Sequence, residues 1–198
     1  MTPADPAPTR LSADEYFDLV RTGQLDPSDK VELLEGVVVA MAPQGPPHAG
    51  MITKINELLV TMFRGRASVR VQLSYLAGPF TVPEPDFAVV PGLPVEYETR
   101  HPDRAHVIIE VADSSLPSDR LSKSRIYAAA RVPQYLIINL RRYCVEVYEQ
   151  PIPERASYAV ARVVRRGEQI RLVDFPELSL AAVDLLPAAP RPRDPFET

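Results

Sequence analysis

The sequence predicts an α/β domain, a mixed α+β sheet with a helix on each side, in the order helix, three strands, helix, strand. Three observations lead there. Ile52, Ile55, Leu58, Leu59 and Met62 fall at helical spacing. Three short apolar segments follow between residues 68 and 112. A second helical stretch then precedes the unbroken apolar run from Gln134 to Leu140. Strands in close succession pair as hairpins, whereas a helix between two strands allows the crossover that makes a sheet mixed.

Ser12 followed by Glu15 is a capping-box pattern, so a short helix starts there and stops near Gly23. Lys30–Leu34 and Val37–Met41 form an added N-terminal hairpin turning at Glu35-Gly36. After Pro46 and Pro47 a helix is expected from about His48 to Arg64. Strands follow at Ser68–Tyr75, Asp86–Val90 and His106–Ala112. The second helix spans about Ser118 to Arg131, with Ser118 or a neighbour as its cap. Beyond Gln134–Leu140, the stretch Tyr143–Glu149 alternates Cys144, Glu146 and Tyr148 with Tyr143, Val145 and Val147, a strand with unlike faces. Added C-terminal strands at Tyr158–Val164 and Gln169–Val173 read as a hairpin with Arg165-Arg166-Gly167 near its turn. Proline-dense ends, 1–10 and 187–198, read as tails around one domain at 11–186.

A chain of 198 residues suits one core. The single cysteine, Cys144, excludes an internal disulfide and a multi-cysteine zinc cage, and it reads as a small buried residue. With no signal-like N-terminus and no membrane-length apolar run, a cytoplasmic protein is expected, with no membrane partner. The net charge of −4 argues against bulk electrostatic binding of nucleic acid, so any such binding needs a local basic surface.

Three charged residues stand where apolar ones would serve a core. Asp86 opens a strand, Glu110 interrupts Val107-Ile108-Ile109 and Val111, and Lys123 lies in the second helix. Antiparallel pairing with Asp86 opposite Glu110 matches Ala88 with Ile108, and Phe87 and Val89 with Ile109 and Val107. The two carboxylates then lie roughly 5 Å apart at Cβ; a one-residue slip would separate them. Two such acids share a proton or a cation. Mg²⁺ or Mn²⁺ suits carboxylate and carbonyl oxygens, with the Val111 backbone carbonyl as third ligand. Lys123, on one helical face with Asp119 and Tyr127, supplies a cation. The plainer alternatives are a strand-capping Asp86, a solvent-facing Glu110 and an Asp119–Lys123 surface pair worth roughly 0.3–0.5 kcal/mol.

These residues carry a resemblance. Pro85-Asp86, Ile109-Glu110-Val111, then Asp119, Lys123 and Tyr127 resemble the Uma-type restriction endonuclease family of the PD-(D/E)XK nuclease superfamily. Glu32-Leu33-Leu34-Glu35-Gly36, Met41-Ala42-Pro43 with His48, and Val132–Ile138 are similar to other segments of it. The resemblance implies a restriction-endonuclease-like core, a metal-dependent endonuclease acting on DNA, and a homodimer suited to cutting two strands. By it Asp86 and Glu110 are metal ligands and Lys123 the catalytic lysine. Ala112 stands where the parent superfamily places that lysine. Arg131, Leu136 and Asn139 replace a common glycine, tryptophan and aspartate.

Glu32, His48 and Gln72 are candidate supporting residues; the alternatives are a solvated hairpin acid and a capping histidine. Arg64, Arg66 and Arg70, and the turn pair Arg141-Arg142, are candidate phosphate contacts, each with ordinary surface charge as its alternative. Two other functions fit the pattern: a nuclease-like module that binds nucleic acid or a protein without cutting, and a metal enzyme acting on small phosphates.

Overall fold

In the computed structural model, which describes residues 10–188 except Pro27 and Ser114, the chain enters through helix α1 (Ala13–Arg21). The Ser12 hydroxyl accepts from the Glu15 N–H while the Glu15 carboxylate accepts from the Ser12 N–H, closing the expected box. Strands β1 (Val31–Leu34) and β2 (Val37–Ala40) form the hairpin, with Leu34 opposite Val37. Its turn requires Gly36, at φ +89° and so close to Arg10 that a Cβ would meet that side chain at 2.7 Å. The tails read at 1–10 and 187–198 lie outside the described residues, apart from Arg10, Pro187 and Ala188.

Helix α2 (Pro46–Phe63) starts two residues earlier than the sequence suggests. Pro46 and Pro47 occupy its first positions, where a missing N–H breaks no helical bond. Its fully buried line is Met51, Ile55, Leu59 and Phe63; Ile52, Leu58 and Met62 flank that line half-buried.

Six strands form one mixed sheet in chain order: β3 (Ser68–Val71), β4 (Phe87–Val90), β5 (Val107–Ala112), β6 (Gln134–Asn139), β7 (Cys144–Ile152) and β8 (Ser157–Arg165). β5 and β6 pair parallel across the helical crossover, and the other neighbours pair antiparallel. β3 ends well before Tyr75, because Gln72 turns to φ +50° and leaves the ladder. The crossover is three contiguous pieces: α3 (Leu116–Ser118), a π turn (Asp119–Lys123) and α4 (Ser124–Ala129). Ser118 is therefore inside the helix, and Ser115 is the residue that precedes it.

One sheet face packs its valines, leucines and isoleucines on α2, and the opposite face packs Ala88, Ile108 and Ile137 with Ile126 and Tyr127 of α4. The expected C-terminal hairpin does not form. β8 pairs with β7, while β9 (Gln169–Arg171) pairs with a further strand, β10 (Ser179–Ala181), ahead of α5 (Ala182–Leu185). That separate pair carries Ile170 and Leu180 into the α2-side core, which a continued β8–β9 ladder would leave unfilled. Among the described residues no helix is long and apolar enough to cross a membrane.

Past α4, Arg131 adopts φ +61°. For a residue with a Cβ this left-handed conformation costs roughly 1–2 kcal/mol, and the exposed 3.8 Å pair of Arg131 with Glu154 returns little. Arg131→Gly should therefore stabilise the fold by about 1 kcal/mol in urea denaturation. A measured loss would show that the guanidinium holds the α4–β6 corner.

Candidate active site

The β4–β5 register places Phe87 opposite Ile109, Ala88 opposite Ile108 and Val89 opposite Val107. One step further along the same ladder sets Asp86 facing Glu110, and the Asp86 N–H donates to Glu110 Oε2 at 3.2 Å. Both acids are buried, at 8% and 3% exposure. A solvent-facing Glu110 is thereby excluded.

Each carboxylate is held by its own set of donors. Asp86 Oδ2 accepts the Val111 N–H at 2.8 Å and lies 3.1 Å from His48 Nε2, while Oδ1 accepts the Gln72 amide at 3.0 Å. Burial alone would push the Asp86 carboxyl up, but His48, Val111 and Gln72 together hold it below its usual value. Burial likewise disfavours a charged His48, yet Asp86 outweighs it and the imidazole pKa is raised. His48 sits in the first turn of α2, and its Nδ1 is buried without a hydrogen-bond partner among the described residues. The backbone reversal at Gln72 is what turns its amide back onto Asp86.

Glu110 Oε1 accepts from Lys123 Nζ at 3.0 Å and from the Tyr127 hydroxyl at 2.8 Å. Lys123 also reaches Glu32 Oε2 at 3.4 Å, and Glu32 in turn accepts from the Glu84 N–H. Asp119, Lys123 and Tyr127 are all buried, so the reading of an Asp119–Lys123 surface pair fails. In a regular α-helix, turning about 100° per residue, positions 119 and 127 would drift apart by roughly 80°. The π turn underwinds that stretch, closing an i+5 bond from the Ser124 N–H to the Asp119 carbonyl, and keeps all three on the sheet-facing side. The Tyr135 hydroxyl donates to the same carbonyl, and Arg120 clasps the Glu146 carboxylate of β7 from within the turn.

Electrostatics follow from this packing. Burial drives Glu110 up to about 8, opposed by Lys123 and reinforced by Asp86, Asp119 and Glu32. Asp119 is raised by burial too, with Lys123 and the Ser115 hydroxyl opposing. Burial disfavours the Lys123 ammonium, but Glu110, Glu32 and Asp119 outweigh it, so Lys123 stays a cation. Tyr127, buried beside Glu110, is raised well above its normal value and stays a donor.

The cleft above these groups has a volume of about 350 Å³ and includes Glu32, His48, Asp86, Glu110, Asp119 and Lys123 in its lining. With Glu84 and Asp113, which also line it, six acidic side chains face one ammonium and one imidazole, a surplus of negative charge that a divalent cation offsets. Among the described residues no three His, Cys, Asp or Glu side chains converge as a ready cage. The donor set that fits is two carboxylates with a backbone carbonyl, and water for the rest, as Mg²⁺ and Mn²⁺ accept. The Val111 N–H points at Asp86, and in a strand the carbonyl of the same residue projects to the same side.

Glu32, His48 and Gln72 all join the cluster. Arg64, Arg66 and Arg70 do not. Arg64 follows the far end of α2, about 24 Å along the helix from His48. Arg66 pairs with Glu177, and Arg70 lies over the Tyr97 ring. Sequence reasoning gave no role to Tyr127 as a Glu110 donor, to Ser115, or to the Arg120–Glu146 clasp. For the last, the signal was Glu146 set between valines in a core strand.

A family model described as "Putative restriction endonuclease" (Uma2) matches residues 13–183. Among solved structures, that of "a putative nuclease belonging to DUF820 from Anabaena variabilis ATCC 29413" is similar with a TM-score of 0.68 and 17% identity. The match covers 88% of this chain and 97% of that one, and at such identity it shows the fold alone. No curated protein matches. The family match spans α1 to α5 and encloses every residue of the acidic cleft, and the chain belongs to the Uma2 restriction endonuclease family.

Proposed function

We propose that this protein is a metal-dependent endonuclease that hydrolyses DNA phosphodiester bonds at the Asp86–Glu110 cleft. The observation that carries this reading is the buried pair of facing carboxylates with the Lys123 ammonium 3.0 Å from one of them. Asp86, Glu110 and the Val111 carbonyl would hold Mg²⁺ or Mn²⁺. Such an ion supplies Lewis acidity toward a phosphate oxygen and lowers the pKa of a water.

The protein groups have distinct tasks. His48 and Gln72 orient Asp86, and Tyr127 orients Glu110. Lys123, its ammonium held charged by Glu110, Glu32 and Asp119, stabilises negative charge gathering on the phosphoryl oxygens as the water oxygen bonds to phosphorus and the ester P–O bond breaks. Among the described residues His48 Nδ1 has no partner, and a phosphate oxygen or a water is the group that would satisfy it. A pair of copies, each with one such cleft, would suit cutting both strands of a duplex.

The test is cleavage of plasmid and single-stranded DNA by purified full-length protein in Mg²⁺ or Mn²⁺, against EDTA. Nicked or linear product that appears only with metal is the expected result. A well-folded protein that cuts neither substrate in either metal overturns this reading in favour of a binding module.

A further inference from the structure

The cleft itself is acidic and the chain carries a net charge of −4, so a polyanion must be held by something beside it. The sheet register shows where. Ala112 pairs with Asn139, Asn139 with Cys144, and Cys144 with Arg165, one row running across four strands. That row lies two residues past Glu110, so its side chains share the face of Glu110. Two residues are about 7 Å along a strand, and three strand spacings carry the row about 14 Å sideways to Arg165.

The turn from β6 to β7 projects beyond this row and holds Arg141 and Arg142, both exposed. Arg141 donates to Asp113 at 3.2 Å, and Asp113 lines the cleft. The turn is braced rather than loose. The Arg142 N–H donates to Asn139 Oδ1 at 2.9 Å, the Asn139 amide donates to Glu146, and Glu146 is the carboxylate clasped by Arg120 of the π turn. The same network that seats Lys123 therefore fixes the turn. Arg142 and Arg165 are both exposed, and neither forms an ion pair with another described residue.

Resting on the endonuclease reading, we propose that Arg141, Arg142 and Arg165 form a rail for the backbone phosphates of duplex DNA flanking the cleft. Each strand carries one phosphate per about 3.4 Å of helix axis, so a reach of about 14 Å spans several phosphates. These contacts read no bases; they set the register of the duplex on the sheet end. The rail replaces Arg64, Arg66 and Arg70 as the polyanion surface.

The experiment is anisotropy of a labelled mixed-sequence duplex at several salt concentrations. Full-length protein carrying Glu110→Gln, in Ca²⁺, serves as the parent so that strands stay intact. Adding Arg142→Ala and Arg165→Ala should weaken binding about tenfold and flatten the log–log salt slope by about 2. Arg64→Ala should change neither. Unchanged affinity and slope in the double variant, with a parent that binds, overturn the rail and leave the endonuclease reading standing. A parent that binds no duplex at low salt overturns both.

Discussion

Asp86→Ala should reduce metal-dependent cleavage by about 10³-fold or more while the protein stays folded. An ion that neutralises developing charge contributes several kcal/mol to the transition state, and about 4 kcal/mol is a factor of 10³. Asp86 offers two oxygens just ahead of β4, directly opposite Glu110. Glu110 stays, but its three donors, Lys123, Tyr127 and the Asp86 N–H, compensate it internally, so it holds a cation poorly by itself. The fold cost is separate. Truncation strands the Val111 N–H, His48 and the Gln72 amide, each worth about 1–3 kcal/mol when left unpaired and dry. Water entering through the cleft relieves part of this. Cleavage assays, with calorimetric titration of Mn²⁺, separate the effects: activity and Mn²⁺ binding should fall together. A binding module instead predicts DNA affinity untouched by Asp86→Ala and no cleavage to lose, and that outcome would remove the metal from the account.

Lys123→Met should combine a loss of 10²–10³ in cleavage with a stability deficit that grows as pH rises. The ammonium lies among Glu110, Glu32 and Asp119, and a buried pair broken on one side costs about 3–5 kcal/mol when the acid stays charged. The sign follows from Glu110. Its folded pKa, about 8, exceeds its ordinary 4.5, so the folded state keeps a proton that the unfolded chain releases. Stability from that proton is full below 4.5 and is lost as pH rises through 8. Without Lys123 the largest opposing charge disappears, the folded pKa climbs further, and the window widens upward. The variant should therefore be close to wild type in urea near pH 5 and markedly weaker near pH 8. Mn²⁺ should recover part of the difference. A deficit of equal size at both pH values would mean that Lys123 acts through packing alone.

The β4–β5 register is the case where the chain alone was sufficient. Apolar residues on both faces match only when Asp86 faces Glu110, because side chains alternate and a slip by one exposes a whole row. The capping box at Ser12, the Glu35-Gly36 turn and the two-faced β7 were legible for the same reason: each depends on near neighbours in sequence. The C-terminal hairpin was not. Tyr158–Val164 and Gln169–Val173 have strand character, but which partner each takes depends on where Ile170 and Leu180 find the core.

The site divides along the same line. Residue types and strand alternation determined the acid pair, its likeness to a metal-binding carboxylate set, and Lys123 as the nearby cation. Tertiary structure decided which of the weaker candidates lie beside the acid pair. It brought Glu32, His48 and Gln72 to the acids from a hairpin, a helix end and a broken strand, up to 54 residues from Asp86 in the chain, and left Arg64, Arg66 and Arg70 elsewhere. It also chose a π turn, which no local pattern announces and which the Arg120–Glu146 clasp ties to the sheet. Short-range geometry is written in the spacing of residues. Charge balance in a buried cleft is a sum over elements that meet only after folding.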